Sequence, residues 1–481
     1  MPRDASSLGA RVGGAVVLAY VGHAVAFASG ILVARVLGPA GKGALSLFVE
    51  AVSALAVIAH LGIGTGQLYV VAKDPRQLAH FMPNARLLAL PLGLAAALLF
   101  YGGTAIMGVA PAAGWDPVTL AAAVVLSPVM FLQLLQRQYL LATRRYAGAK
   151  VQFVGSMLLP FLGYATLALI HMAQWQSFVR AFATGQIAWV VAVEAAIARL
   201  DGFQTAPSLQ LLRASFGFGV KQYGTGVVEY LTTRLDFFLV AGMLGSRALG
   251  VYSVAVALSE VVSRISREIG NTLLPEFASG RLGRGAGPRV VRKTFLVAAL
   301  AGLTTAALSG PLVVGLFGRP FSGAVWPLRL LLIGTIVAST IEVTWPHTSA
   351  RGKPAAGIWY FGAAAVLDVA LNVALLPRWG ILGASVAAVA SHVLVAILFL
   401  REFVRAESCT LAAAVLPRVR DARQVWDAVL SVSSRFWKPL HRRPGRIGGD
   451  QPKMGEAGRD GARGRSRTAY GPGPPGTDPS A

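Results

Sequence analysis

One cysteine among 481 residues, Cys409, leaves nothing for a disulfide within the chain or for a cysteine-based metal site. Charge is scarce too. Only 14% of residues are charged against 55% hydrophobic, which lies outside the range of soluble globular proteins. Acids are the rarer sign, 21 Asp and Glu against 44 Lys and Arg. Histidines at 23, 60, 80, 171, 347, 392 and 441 are too scattered to show ligand spacing, so no metal site and no cofactor is expected. The net charge of +23 does not point to nucleic acid, because the basic residues fall in short breaks between apolar runs and in the C-terminal region, without an RNA- or DNA-binding motif. Anionic lipid headgroups and diphosphates are better partners.

What the chain does have is long apolar runs. A bilayer core about 30 Å thick needs roughly 20 apolar residues per helix, and such runs recur from Ala15 to Val404. The expected fold class is all-α integral membrane, with about twelve spans. The expected divisions are a six-helix lobe over 1–200, a linker over 201–216, a second six-helix lobe over 217–404, an amphipathic segment over 405–440 and a disordered basic tail over 441–481. Within the linker, Ser208 to Phe216 reads as a short helix lying along the membrane interface. The first run follows Arg3 and Arg11 and is too long for a signal-peptide core, so it reads as an uncleaved helix.

Orientation follows from the short loops, since Lys and Arg stay cytoplasmic. One side collects seventeen, from Arg3 through Lys73, Arg144, Arg199 and Arg289 to Lys353; the other has five, Arg35, Lys42, Arg247, Arg319 and Arg378. Both termini are thus expected in the cytoplasm, in the inner (plasma) membrane.

Sliding the chain by 207 residues sets Leu32, Val33, Ala34, Leu37, Gly38, Gly43 and Ser46 on Leu239, Val240, Ala241, Leu244, Gly245, Gly250 and Ser253. An even number of spans separates the copies, so the halves would share one topology about an axis along the membrane normal.

Three segments, in this order, carry a resemblance: ILVARVLGPAGKGALSLFVE at Ile31 to Glu50, running on to LGIGTG at Leu61; RLDFFLVAGMLGSRALGVYSVAVAL at Arg234 to Leu258; and LNVALLPRWGILGA at Leu371 to Ala384. They resemble the O-antigen and exopolysaccharide flippases, in the superfamily that also holds the multidrug and toxin extrusion (MATE) transporters and the lipid II flippases. The resemblance implies a MATE-like arrangement of two lobes around a central cavity, alternating access, and an undecaprenyl-diphosphate-linked oligosaccharide as cargo. It also implies membrane lipids as partners, and a polysaccharide polymerase and glycosyltransferases nearby. Lipid II flippases resemble this layout with two further helices that form a lipid groove, and this chain has none.

The Gly62, Gly64 and Gly66 turn lacks the strand before it and the Lys-Ser/Thr after it that a phosphate loop requires, so close helix packing is expected there. The informative residues are charges inside spans, each costing about 2.5 to 3.5 kcal/mol at a helix centre unless it faces a partner or water. Glu229, Arg234 and Asp236 fall in the seventh span; Glu260, Arg264, Arg267 and Glu268 fall in the eighth. All seven are expected to face inward.

Two readings are open. The charges neutralise one another, or Arg234, Arg264 and Arg267 bind a diphosphate or acidic sugar while Glu229, Asp236 and Glu260 serve as counter-ions or cation-coupling groups. Glu50, Glu194, Glu342, Asp368 and Asn372 are further candidates for the same cavity. Competing functions are a cation-coupled drug exporter of the same fold, whose acid in the first helix is replaced here by His23 alone, and a membrane glycosyltransferase, polymerase or ligase, which would need a large outer loop. No catalytic residue is assigned. Reporter fusions and cysteine labelling should find both termini and the 281–293 loop in the cytoplasm, with 38–43 and 245–250 outside.

Overall fold

A computed structural model describes residues 5–106, 115–278, 285–353, 355–425 and 427. Its helices are α1 (Ala5–His60), α2 (Ile63–Lys73), α3 (Phe81–Ile106), α4 (Pro117–Ala142), α5 (Tyr146–Leu169), α6 (Trp175–Asp201), α7 (Leu209–Ala278), α8 (Ala286–Ala307), α9 (Ser309–Phe317), α10 (Val325–Ala338), α11 (Ile341–Ala350), α12 (Ala355–Trp379), α13 (Ile381–Glu407) and α14 (Leu411–Val415). The described residues form no strand, as a chain whose backbone must satisfy itself within hydrocarbon requires.

Among the described residues, ten helical runs are long and apolar enough to cross a membrane, and two of these, 18–60 and 223–270, have 43 and 48 residues. At about 1.5 Å per residue each would be about twice as long as the bilayer core is thick. Both fold back at a glycine. Gly38 has φ 63°, ψ −175° and Gly245 has φ 82°, ψ 174°, a region essentially closed to other residues. Arg234 and Glu260, on either side of Gly245, lie 2.7 Å apart, whereas a straight helix would hold them about 39 Å apart. Ten runs therefore make twelve crossings, and the chain is a multi-pass membrane protein.

The repeat appears as a reciprocal contact. A Cβ on Gly43 would lie 1.7 Å from the Ser246 carbonyl oxygen, and one on Gly250 would lie 1.9 Å from that of Pro39. Positions 39 and 43 map onto 246 and 250 under the 207-residue shift, so each hairpin presses the same spot against the other, as a local two-fold demands. At the far end of the same helices, Gly62 and Gly219 each place a would-be Cβ 2.3 Å from the other's carbonyl oxygen, and Gly66 approaches Ser215 O to 2.1 Å. The glycines of 62–66 are packing glycines.

Arg35 adds a side-chain clamp near the Gly38 turn. Its Nε donates to Leu316 O at 2.7 Å and its Nη2 donates to Gly315 O, which caps the C-terminal end of α9.

Several boundaries differ from expectation. The second span breaks at Leu61 and Gly62, both left-handed, into the end of α1 and α2. The ninth and tenth spans are each two helices, α8 with α9 and α10 with α11. At 208–216, expected as a linker helix, α7 starts at Leu209 and runs on to the Gly245 turn, with Leu211, Leu212 and Ser215 buried and Ser215 packed on Gly66. The non-helical connection is only 202–208.

After α13 the chain turns back through α14, and the buried Asp421 accepts from Arg292 of α8 at 2.8 Å. Burial raises the Asp421 carboxyl, but the bond from Arg292, the Arg418 backbone amide and the charges of Arg292 and Lys293 together outweigh it and hold the group below the usual carboxylate range. The 405–440 segment is thus fastened to α8 in its first part. Residues 428–440 and the 441–481 tail lie outside the described residues.

Gly250→Ala should cost about 1 to 3 kcal/mol, read as a lower Tm in detergent, because its methyl would meet backbone that cannot turn aside. Gly217→Ala, with nothing within 4 Å of its would-be Cβ, should instead hold or raise the Tm.

Candidate functional site

Each of the four segments that make the two hairpins supplies a member of one connected chain of polar groups. Arg234, on α7 before the Gly245 turn, reaches Glu260 Oε1 with Nη2 at 2.7 Å and lies 3.5 Å from Glu50 Oε1 through Nη1. Glu50 belongs to α1 after the Gly38 turn and also accepts from the Tyr230 hydroxyl at 3.2 Å. The second oxygen of Glu260 faces Arg264 Nη2 at 3.4 Å, and Arg264 Nη1 donates to Nδ1 of His23, on α1 before its turn. Tyr230 with Arg234, and Glu260 with Arg264, stand at i, i+4, so each pair shares one helix face.

These side chains are mostly withdrawn from solvent: Arg234 is 23% exposed, Glu50 18% and Glu260 31%. Two acids and two arginines balance formally. Lys42, whose Nζ donates to Ser46 Oγ at 3.1 Å and which feels the charge of Glu50, adds one positive charge.

Three cavities meet here. One of about 260 Å³ is lined by Lys42, Glu50, Arg234 and Glu260 together with Ser29, Ser46, Ser156 and Ser253. A second, of about 280 Å³, holds His23, Arg234, Glu260, Arg264, Arg267 and Glu268. The third, about 580 Å³, is mainly apolar and shares Lys42, Glu260 and Arg264. Glu260 lines all three.

Of the residues read from the sequence, Arg234, Glu260 and Arg264 come together as expected. Arg267 points into the second cavity but pairs with Glu342 of α11 at 3.4 Å and is 54% exposed. Its charge also acts on Glu229, so Glu229, Arg267 and Glu342 form a separate cluster. Asp236 lines the second cavity beside Arg234 but makes no ion pair with it; it accepts from the Tyr252 hydroxyl at 2.5 Å and interacts with the buried Asp368. Asp368 in turn accepts from Asn372 at 3.0 Å and Ser391 at 3.2 Å, while Asn372 Oδ1 is buried without a partner.

Glu194 is a correction. It belongs to no cavity of this group, but pairs with Arg86 at 2.5 Å and Gln136 at 2.9 Å in the first half. Lys42 and Tyr230 were missed as members of the site. The signal for Lys42 was a lone cation within one turn of Gly38, read as a loop charge. For Tyr230 there was none, since a tyrosine in a span is unremarkable until its hydroxyl is seen on a carboxylate.

Residues 32–325 match the family of polysaccharide biosynthesis proteins. This chain belongs to that family. Among solved structures, this family member resembles lipid II flippase MurJ in an inward closed conformation, with a TM-score of 0.67, 12% identity, and 89% of this chain and 99% of that chain covered. It also resembles an inward-facing MATE family transporter of the MOP superfamily, with a TM-score of 0.63, 14% identity and coverage of 82% and 99%. A MOP superfamily transporter from Pyrococcus furiosus, described as having a binding pocket of reverse polarity, gives 0.53, 16% and coverage of 82% and 96%. At these identities the likeness establishes a MurJ/MATE-like fold. No curated protein sequence matches the chain.

Removing one partner of a buried ion pair should cost more than removing both. Glu260→Gln leaves both Arg234 and Arg264 without its carboxylate and should lower the Tm in detergent, while adding Arg264→Gln should recover only part of the loss, because Arg234 keeps Glu50 alone.

Proposed function

We propose that this protein is a flippase that moves an undecaprenyl-diphosphate-linked oligosaccharide from the cytoplasmic to the outer leaflet for polysaccharide synthesis. Family membership and fold support the class. The observation that carries the reading is the alternating ion chain across the seam between halves. Arg234 lies eleven residues before Gly245 and Glu260 fifteen after it, so both sit about 16 to 22 Å from the turn, near the bilayer midplane where transporters built of repeats bind cargo.

The chain divides unequally between the halves. Arg234, Glu260 and Arg264 belong to α7, whereas their partners Glu50 and His23 belong to α1. When the halves part, Arg234 loses Glu50 and Arg264 loses His23, leaving two guanidinium groups against one carboxylate. A diphosphate fits that deficit, because its oxygens accept the paired donors of each planar guanidinium. Cargo and Glu50 thus compete for one arginine. Release follows when Glu50 returns as the halves close, so the acid resets the site and need not bind anything itself.

The central cavity of about 260 Å³ is below the roughly 300 to 1,000 Å³ of small-ligand sites, so a glycan needs the halves to part. On this reading Glu260 is a counter-ion, and the cation-coupling role passes to Asp236 with Asp368. Two interacting carboxylates in a low-dielectric interior need a proton or a monovalent cation, and Asn372 Oδ1 offers a further oxygen. The protein is then a non-enzymatic transporter of two six-helix lobes in the inner membrane, with both termini cytoplasmic. It would work beside the glycosyltransferases and polymerase that make and extend the cargo.

In a glycan-export complementation assay with membrane abundance checked, Arg234→Gln should cut export by roughly tenfold or more. Adding Glu260→Gln should not restore it. Full export from the double variant would mean that the two charges only neutralise each other, and would remove the substrate role from Arg234.

A further inference from the structure

A surface at the C-terminal end of α13 carries exposed apolar and cationic side chains together. α13 ends at Glu407, Ser408 turns the chain in the left-handed region, and residues 411–425 return as α14 and a further helical stretch from Val419. Arg292 of α8 fixes this return: its Nε donates to Asp421 Oδ2 at 2.8 Å and its Nη1 donates to Ala413 O. Arg292 and Asp421 are both buried, so the segment is docked on α8 and does not hang free.

Its depth follows from α8. With α9 that helix makes a span from Ala286 to Phe317, and Arg292 stands about ten residues from the middle of it. At about 1.5 Å per residue Arg292, and Ala413 with it, lies roughly 15 Å from the midplane, at the edge of a hydrocarbon core about 30 Å thick. Leu411, Leu416 and Val419 point away from the protein there, 57%, 62% and 81% exposed. At that edge they meet acyl chains, not bulk water.

Cations surround them. Arg401 and Arg405 on α13 and Arg418, Arg420 and Arg423 beyond α14 are all exposed, and none has an ion-pair partner among the described residues. The acids nearby are committed elsewhere, Glu402 to Lys353, Glu407 to His347 and Asp421 to Arg292, and the exposed Asp427 pairs with none of the five. The end of the chain cannot neutralise them either, since residues 428–481 contain ten Lys and Arg against four Asp and Glu. The counter-charge has to come from outside the chain.

We propose that this surface binds anionic phospholipids of the leaflet it faces, with Leu411, Leu416 and Val419 entering the acyl boundary and the five arginines taking the phosphates. A zwitterionic lipid brings its own cation and leaves the arginines unneutralised, so the surface selects by net headgroup charge. A water-borne anion supplies the phosphate but nothing for the apolar side chains. Arginine stems lie along apolar surface while the guanidinium reaches outward, which lets one short segment carry both chemistries. Because Arg292 ties the segment to α8, the bound lipids hold the second half of the molecule at a fixed depth. The inference is independent of what the protein transports.

The test is native mass spectrometry of the full-length protein in detergent, titrated with phosphatidylglycerol or with phosphatidylcholine. Phosphatidylglycerol should bind at least about tenfold more tightly. Arg418→Gln, Arg420→Gln and Arg423→Gln together should remove about tenfold of that affinity at unchanged Tm, whereas Lys at the same three positions should keep it within about twofold, since either cation meets a headgroup phosphate. Leu416→Ser with Val419→Ser should weaken both lipids alike. Equal affinity of the unaltered protein for the two lipids would overturn the proposal. An equal loss from Arg76→Gln, Arg199→Gln and Arg213→Gln, three exposed cations on other elements at the same membrane face, would also overturn it, by showing an effect of bulk charge. Displacement of phosphatidylglycerol by equimolar inorganic phosphate would reduce the surface to a simple anion site and overturn it as well. If the Gln variant does not fold, hydrogen exchange of the unaltered protein decides: amides of 411–423 should exchange more slowly in phosphatidylglycerol nanodiscs than in phosphatidylcholine ones, and equal exchange would sink the proposal.

Discussion

A charge placed in hydrocarbon has to be supplied with its counter-charge by the protein, and the centre of this molecule is arranged around that requirement. Each ionised side chain near mid-span costs about 2.5 to 3.5 kcal/mol if it faces lipid. Here the charges are linked head to tail, Glu50 to Arg234 to Glu260 to Arg264, with His23 at the end. The two inner links lie within α7, and the two outer ones, to Glu50 and to His23, cross the seam to α1. The same interactions that make the charges tolerable therefore tie the two halves together. Any ligand able to replace Glu50 on Arg234 removes part of that tie.

The hairpins supply the geometry. Gly38 and Gly245 turn two overlong helices back on themselves, which brings residues far apart in sequence onto facing segments. Gly43 and Gly250 then let the turns touch backbone to backbone. Without both pairs of glycines, Arg234 would have neither Glu260 behind it nor Glu50 in front of it.

Much of this was legible in the sequence. Twelve crossings follow from hydrophobic length, and the repeat offset of 207 residues sets Gly43 on the partner that it meets in space. Arg234 and Glu260 could be placed inside neighbouring spans from position alone. Contact across the seam was not legible, because it depends on how the helices rotate as they pack. Asp236 illustrates the limit: two residues from Arg234 and lining the same cavity, it is held by the Tyr252 hydroxyl instead of by a guanidinium. Glu194 shows the opposite error, where an acid in a span looked functional and proved to be the partner of Arg86.

The Arg35 clamp breaks the two-fold frame. Its counterpart under the 207-residue shift is Gly242, which has no side chain with which to grip anything. The duplicated scaffold is therefore latched unequally at its two turns, with a guanidinium on carbonyls beside Gly38 that has no equivalent side chain beside Gly245.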